Sequence, residues 1–230
     1  EALDLHVGEG IASDQHPPRG GGALPLGFTA SGRGVVFVYA RRGAGHLAHC
    51  DLASGKVEDL TGGDTEVIAG SVSADGRCVA LTLGSNSMIG DLHVYDLEAR
   101  TLTRLWGAND EVLADVKLGD VEELEYASSD GTRIQGWVVK PPEFDPRKKY
   151  PLVLEIHGGP HTAYGVGFFH EFRVLAAAGY LVLFTNPRGS TSYGQKFADC
   201  IQYKFPGVDY DDLMAGVDAL IAKGWVDEAR

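Results

Sequence analysis

Ten residues, Ala30-Ser-Gly-Arg-Gly-Val-Val-Phe-Val-Tyr39, return about 44 residues further on as Ala74-Asp-Gly-Arg-Cys-Val-Ala-Leu-Thr-Leu83, a period typical of one propeller blade. Asp51-Leu52 likewise returns as Asp96-Leu97. A repeat restricts folding strongly, because each copy makes the same small unit and buries its face only against a neighbour. In both copies a turn at Gly32 or Gly76 leads into a β-rich run, then a glycine-containing loop, then a strand such as Asp91-Leu-His-Val-Tyr-Asp96. Short strands between regular turns indicate antiparallel β structure. Asp51, Asp75 and Asp96 fall where Asx side chains cap turns. Two copies cannot close a ring. The expectation is about two blades of a β-propeller over residues 1–118, with the remaining blades outside this chain.

Past Leu118 the pattern changes. Strand-like Val121-Glu-Glu-Leu-Glu-Tyr126 and Ile134-Gln-Gly-Trp-Val-Val139 give way to strands alternating with helices, which predicts a parallel sheet flanked by helices. Leu152-Val-Leu-Glu-Ile156 reads as a buried strand and Phe168–Ala178 as a helix ended by Gly179. Leu181–Phe184 is the next strand. Tyr210, Leu213, Met214, Val217, Leu220 and Ile221 then recur at helical spacing, giving one apolar face from Val208 to Lys223. The predicted fold class is therefore α/β plus all-β, with the α/β part over residues 119–230.

At 230 residues and 44% hydrophobic, the chain can bury a sizeable core. Its net charge of -12 comes with no basic run, which argues against nucleic acid and membrane surfaces as partners. Cys50, Cys78 and Cys200 form neither a disulfide framework nor a zinc pattern, and buried reduced thiols in a cytoplasmic protein are expected. No apolar run approaches a membrane span and no signal-peptide pattern opens the chain. Its first residue is Glu1, so a trimmed chain is expected.

The stretch that carries chemistry is His157-Gly158-Gly159-Pro160, between the strand ending at Ile156 and the next helix. In acyl transfer, negative charge develops on the carbonyl oxygen, and preorganised backbone N–H donors stabilise it. Glycines let the backbone come that close. A His-Gly-Gly loop after a buried strand is where α/β-hydrolases supply one oxyanion N–H, the other following the nucleophile.

Around this loop stand Ser129-Asp130-Gly131-Thr132, Trp137-Val-Val-Lys-Pro141 and Lys149-Tyr150-Pro151-Leu152-Val153, then Asn186-Pro187-Arg188-Gly189-Ser190 and Tyr193-Gly194. With the blade repeats before them, they resemble the prolyl oligopeptidase family of serine peptidases, most closely its acylaminoacyl-peptidase branch. The resemblance implies a β-propeller covering an α/β-hydrolase domain whose Ser, Asp and His cleave short or N-acylated peptides, without a cofactor. It places Gly158 and Gly159 at the oxyanion hole, with His157, Pro160, Arg188 and Tyr193 near substrate or bracing loops. It also implies dimers or larger assemblies.

No G-x-S-x-G occurs, and Ser190-Thr191-Ser192 lies in a polar loop without strand-elbow-helix context. The resemblance implies that the nucleophile follows the strand that Trp225-Val-Asp-Glu-Ala-Arg230 approaches, in a carboxyl-terminal segment that would partner this chain. His157 precedes that position and is not the triad base. The chain alone is expected to be inactive. Arg188 either meets substrate through its planar fork of donors or pairs with Asp209, Asp211 or Asp212. Where the broader family often has Asp in this loop, this chain has Asn186.

Other signals weigh less. His46 and His49 point to opposite faces of a strand and read as surface residues. His157 and His161 lack the helix that zinc spacing requires, and Gly43-Ala-Gly45 lacks a βαβ unit, so neither metal nor dinucleotide is expected. Phe168, Phe169 and Phe172 read as core. The rival functions are an esterase on the same fold and a noncatalytic interaction protein.

Overall fold

The computed structural model describes residues 4–7, 11–12 and 24–229. The chain divides into two compact units, Glu1–Val116 with Val166–Phe168, and Lys117–Gly165 with Phe169–Arg230.

In the first unit, β1 (His6–Val7), β2 (Gly27–Phe28), β3 (Gly34–Arg41), β4 (Ala44–Asp51) and β5 (Val57–Asp59) form one sheet. The strands β6 (Glu66–Val72), β7 (Cys78–Ser85), β8 (Met88–Asp96) and β9 (Thr101–Gly107) form a second, paired in chain order. Every pairing is antiparallel. A short helix, α1 (Asp110–Ala114), follows. The repeated stretches become the same piece of structure, since Gly32 and Gly76 both take left-handed φ, +66° and +67°, at turns leading into β3 and β7. Asp51 accepts from the Ser54 N–H and hydroxyl, Asp75 from the Arg77 N–H, and Asp96 from the Glu98 and Ala99 N–H groups. These are the turn caps expected of them.

The two sheets share one core. Val36, Val38 and Leu47 of the first meet Val67, Val79, Leu81, Leu83 and Tyr95 of the second. Period-2 alternation puts these residues on facing surfaces. The expectation of surface histidines fails at His46, which is 7% exposed with its ring edge-on to Tyr39. The reason is that the face of β4 carrying His46 is covered, which alternation along a strand does not reveal. His49 is half-buried, 3.3 Å from Glu58. The cysteines are free, as expected, but half-buried rather than buried.

In the second unit, β10 (Val121–Ala127), β11 (Arg133–Val139), β12 (Leu152–Glu155) and β13 (Leu181–Asn186) form a sheet in the order β10-β11-β13-β12. The predicted parallel sheet proves to be mixed. Only β12 and β13 are parallel, while β10–β11 and β11–β13 are antiparallel. The turn after β10, with Ser128 N–H donating to Thr132 C=O at 2.8 Å, leaves no room for a crossover. A helix, α2 (His170–Ala177), joins β12 to β13, shorter than predicted and followed by Gly179 at φ +95°. Then come α3 (Gln195–Asp199) and α4 (Val208–Ala222).

Along β11 the side chains alternate. Ile134 and Val138 join Leu181, Leu183 and Leu220, on the side of α4. Trp137 faces the other way and stacks on Phe184, ring centroids 5.5 Å apart. Two expectations need correction here. First, β12 is half-exposed rather than buried, and Ile156 beyond it is 55% exposed, because β12 ends the sheet with β13 as its partner. Second, the buried stripe of α4 is Asp209, Asp212, Leu213, Gly216 and Leu220, while Tyr210 and Met214 are exposed. The helix is turned so that a carboxylate, Asp212, faces inward. After α4, Tyr150 pairs in parallel with Val226, its N–H donating to Trp225 C=O and its C=O accepting from Asp227 N–H, both at 2.8 Å.

The repeat turns yield a sharp comparison. At Gly76 a Cβ would lie 2.6 Å from Ala30 N and 2.7 Å from Phe28 O, whereas at Gly55 (φ +69°) it would meet nothing within 4 Å. Gly76→Ala should cost about 2–4 kcal/mol, left-handed strain plus overpacking. Gly55→Ala should cost only the strain, about 1–2 kcal/mol. Equal shifts in urea midpoint for the two variants would contradict this account.

Candidate active site

The loop that leaves β12 begins with Ile156 and His157 and contains both candidate glycines. Gly159 has φ +127°, where an L side chain is strained, and a Cβ there would come within 2.9 Å of His161 N. A Cβ at Gly158 would meet nothing within 4 Å. Both residues are exposed. Among the described residues, neither of their N–H groups donates to a protein acceptor. The loop thus presents two free backbone donors on glycines whose lack of a side chain leaves the approach open.

The segment that follows β13 holds this loop in place. Thr191 N–H donates to Thr162 C=O at 3.0 Å, and His157 Nε2 lies 2.9 Å from Ser190 Oγ. Ser190 donates its proton to Pro187 C=O at 2.7 Å, so its oxygen accepts from His157. With the ring proton on Nε2, the imidazole presents no lone pair to the serine. Burial lowers the His157 pKa, partly opposed by Gly158 C=O and the Asn186 side chain; a neutral ring carries one N–H, so it serves either Ser190 Oγ or Gly158 C=O, 3.0 Å from Nδ1, but not both. Pro160 accepts from Thr162 N–H at 2.9 Å, closing a turn directly after the glycines.

Asn186, at the end of β13, is fully buried. Its Oδ1 accepts from Tyr164 N–H at 2.8 Å, and its Nδ2 donates to Tyr164 C=O at 2.8 Å and to Tyr193 Oη at 2.7 Å. Tyr193 in turn donates to Gln135 Oε1 at 2.6 Å, and Gln135 Nε2 donates to Glu123 at 2.7 Å. Tyr193 therefore braces the loops. The Tyr164 ring lies edge-on to His157, Phe172 and Phe184, with centroids 5.1–5.7 Å away.

Arg188 takes the pairing option rather than lying free for substrate. Its backbone N–H donates to Asp212 Oδ2 at 2.9 Å, and its guanidinium grips the same carboxylate, Nε to Oδ2 at 2.9 Å and Nη2 to Oδ1 at 2.6 Å. Nη1 meets Asp130 and Nη2 also reaches Ser128 Oγ at 3.3 Å. Asp212 is fully buried and the Arg188 side chain is 10% exposed. One guanidinium thus ties the segment after β13 to α4 and to the β10–β11 turn.

Beside the loop is a hollow of ≈ 240 Å³ lined by Ile156, His157, Pro160, Ser190, Phe205 and Tyr210 among others. It is mostly apolar. Sequence reasoning placed Ser190 in a polar loop, but it is 1% exposed. It also missed Gln135 and Tyr164, and left Asn186 without a role. The available signal was a polar residue closing an apolar strand, where a buried polar group demands partners. Among the described residues, no helix is long and apolar enough to cross a membrane.

Comparison with known proteins bears out the resemblance read from the sequence. Residues 166–230 match the prolyl oligopeptidase family. The chain is 33% identical over 225 residues to the uncharacterized peptidase YuxL of Bacillus subtilis, covering 97% of this chain and 33% of that protein. It is 34% identical over 145 residues to dipeptidyl-peptidase 5 of Schizosaccharomyces pombe, covering 60% of this chain and 20% of the relative. Its fold is shared with the Pyrococcus horikoshii acylaminoacyl peptidase, TM-score 0.80 at 22% identity, over 99% of this chain and 33% of the other. Porphyromonas gingivalis dipeptidyl peptidase 4 gives 0.75 at 23% identity, over 92% of this chain and 31% of the other. The chain spans a third or less of the length of these proteins.

The Arg188 clamp makes two predictions. Arg188→Ala strands a buried carboxylate and should cost about 3–5 kcal/mol by urea unfolding, with Arg188→Lys recovering only part, since an ammonium lacks the planar fork. Asp130 is held down to about 2, from an ordinary 3.8, by the Thr132 hydroxyl and N–H and by Arg188. Its folded-state pKa is depressed, so its contribution is complete above the ordinary value and disappears as pH falls through about 2. The gap in Tm between the native protein and Asp130→Asn should accordingly be present at pH 7 and close between pH 3.8 and about 2. A gap unchanged across that window would remove Asp130 from the clamp.

Proposed function

We propose, for a chain whose residues 166–230 match the prolyl oligopeptidase family, that it forms part of a serine peptidase acting on short or N-acylated peptides and supplies the oxyanion loop. The first unit would be the last two blades of a β-propeller, and the second the amino-terminal half of an α/β-hydrolase domain. The observation that carries this reading is the pair of free N–H groups at Gly158 and Gly159, on a loop fixed by Asn186, Ser190 and Thr191.

In the reaction the triad base would take the serine O–H proton as the serine oxygen bonds to the scissile carbonyl carbon and the carbonyl π electrons move onto oxygen. The oxyanion collapses, the C–N bond breaks, and the departing amine takes that proton from the base. Water, passing a proton to the base, then adds to the acyl-enzyme; the acyl C–O bond breaks, the serine recovers the proton, and the carboxylic acid leaves. The Gly159 N–H, with Gly158 beside it, stabilises the oxyanion in both additions. The Tyr150–Val226 pairing directs the chain after α4 in parallel along the edge of β12. A strand continuing there would end beside the glycine loop, the position from which an elbow serine would meet these donors. The triad base and acid would come from the same later segment, in a cytoplasmic enzyme.

Two measurements test the proposal. A fluorophosphonate should label the full-length protein at a serine beyond this chain and leave the 230-residue chain unlabelled. Labelling at Ser190 would overturn the placement of the nucleophile. In the full-length enzyme, Gly159→Ala keeps the N–H but cannot hold φ +127° without strain, so the displaced donor should lower kcat, by up to the about 10²–10³-fold seen when an oxyanion donor is lost.

A further inference from the structure

We propose that Asn186 is the positioning residue of the glycine loop, and that it acts because it carries an amide rather than a carboxylate. The inference rests on the oxyanion reading of Gly158 and Gly159. The loop is anchored at one end by β12 and at the other by Tyr164, where both backbone polar groups of one residue close on a single side chain. Such a closure needs an acceptor and a donor about one amide apart, which Asn supplies and ionised Asp does not.

The orientation of that amide is determined by a directed chain. Glu123 can only accept, so Gln135 turns its Nε2 towards it and its Oε1 towards Tyr193. The Tyr193 proton is thereby committed to Gln135, and its oxygen accepts from Asn186 Nδ2. The second Nδ2 proton goes to Tyr164 C=O, leaving Oδ1 for Tyr164 N–H. Asn186 and Gln135 are 0% and 5% exposed, so water cannot replace a lost partner. From Tyr164 the order passes through its edge-on ring contact to His157, which directly precedes the two glycines. A carboxylate at this position would set an oxygen against Tyr164 C=O and release the loop from one side, without altering any group that touches substrate.

The test uses the full-length enzyme, with kcat and KM measured on an N-acetylated peptide and active sites counted by fluorophosphonate. Asn186→Asp should reduce kcat per titrated site about 100-fold at pH 8 while KM moves less than about threefold, the pattern of a displaced oxyanion donor. Burial raises the pKa of the introduced carboxyl, and once protonated its O–H can again donate to Tyr164 C=O. The kcat ratio of variant to native should therefore rise about tenfold between pH 8 and pH 5. A kcat per site within about threefold of native, or a fall with no recovery in acid, overturns the proposal. If Asn186→Asp yields no folded enzyme, Tyr193→Phe decides, with about a fivefold loss of kcat at steady KM expected for one missing hydrogen bond. No loss there overturns it too. Gly159→Ala serves as the separate control. If it leaves kcat intact, the oxyanion reading itself has failed, whereas a loss there beside a silent Asn186→Asp removes only the positioning role.

Discussion

A carboxylate with no exposed surface has to be paired, and in the second unit that carboxylate is Asp212. Left unpaired, a buried charge is costly. Gripped by Arg188 through Nε, Nη2 and the backbone N–H, it instead sets the rotation of α4 and the course of the chain after β13. Such a buried pair adds little net stability over an apolar substitute, but breaking it is costly. Its effect is geometric. Asp130 and Ser128 on the same guanidinium bring in the β10–β11 turn, so three segments distant in sequence share one planar group.

The glycine loop depends on that arrangement at one remove. The segment that Arg188 starts is the one from which Ser190 and Thr191 reach His157 and Thr162. A loop of glycines left to itself would sample many conformations, and an oxyanion donor is useful only when it is preorganised. Rigidity here is imported from β13, Asn186 and the aromatic contacts of Tyr164, and the glycines add only access.

The first unit shows the same economy without a reacting group. Its two repeats bury Val36, Val38, Val79 and Leu81 in a common core, and their turns touch directly through Ala30 N–H donating to Gly76 C=O at 2.9 Å. Gly76 is needed for its left-handed φ and for the nearness of that backbone. His46 was misjudged because alternation along a strand gives the face but not whether that face is covered.

What the sequence determined by itself was everything that follows from local spacing. That covers the strand repeat, its glycine turns and Asx caps, the change to strands with helices near Leu118, and a Gly-Gly loop after a strand whose chemistry could be named. What only tertiary structure decided was which polar groups would be buried together. The antiparallel β10–β11 pair, the inward turn of Asp212, the burial of Ser190 and the closure of Asn186 on Tyr164 all depend on partners between 22 and 60 residues away or on sheet order. The physical reason is that periodicity reports which side of an element is apolar, whereas a buried hydrogen bond depends on where two separate elements meet.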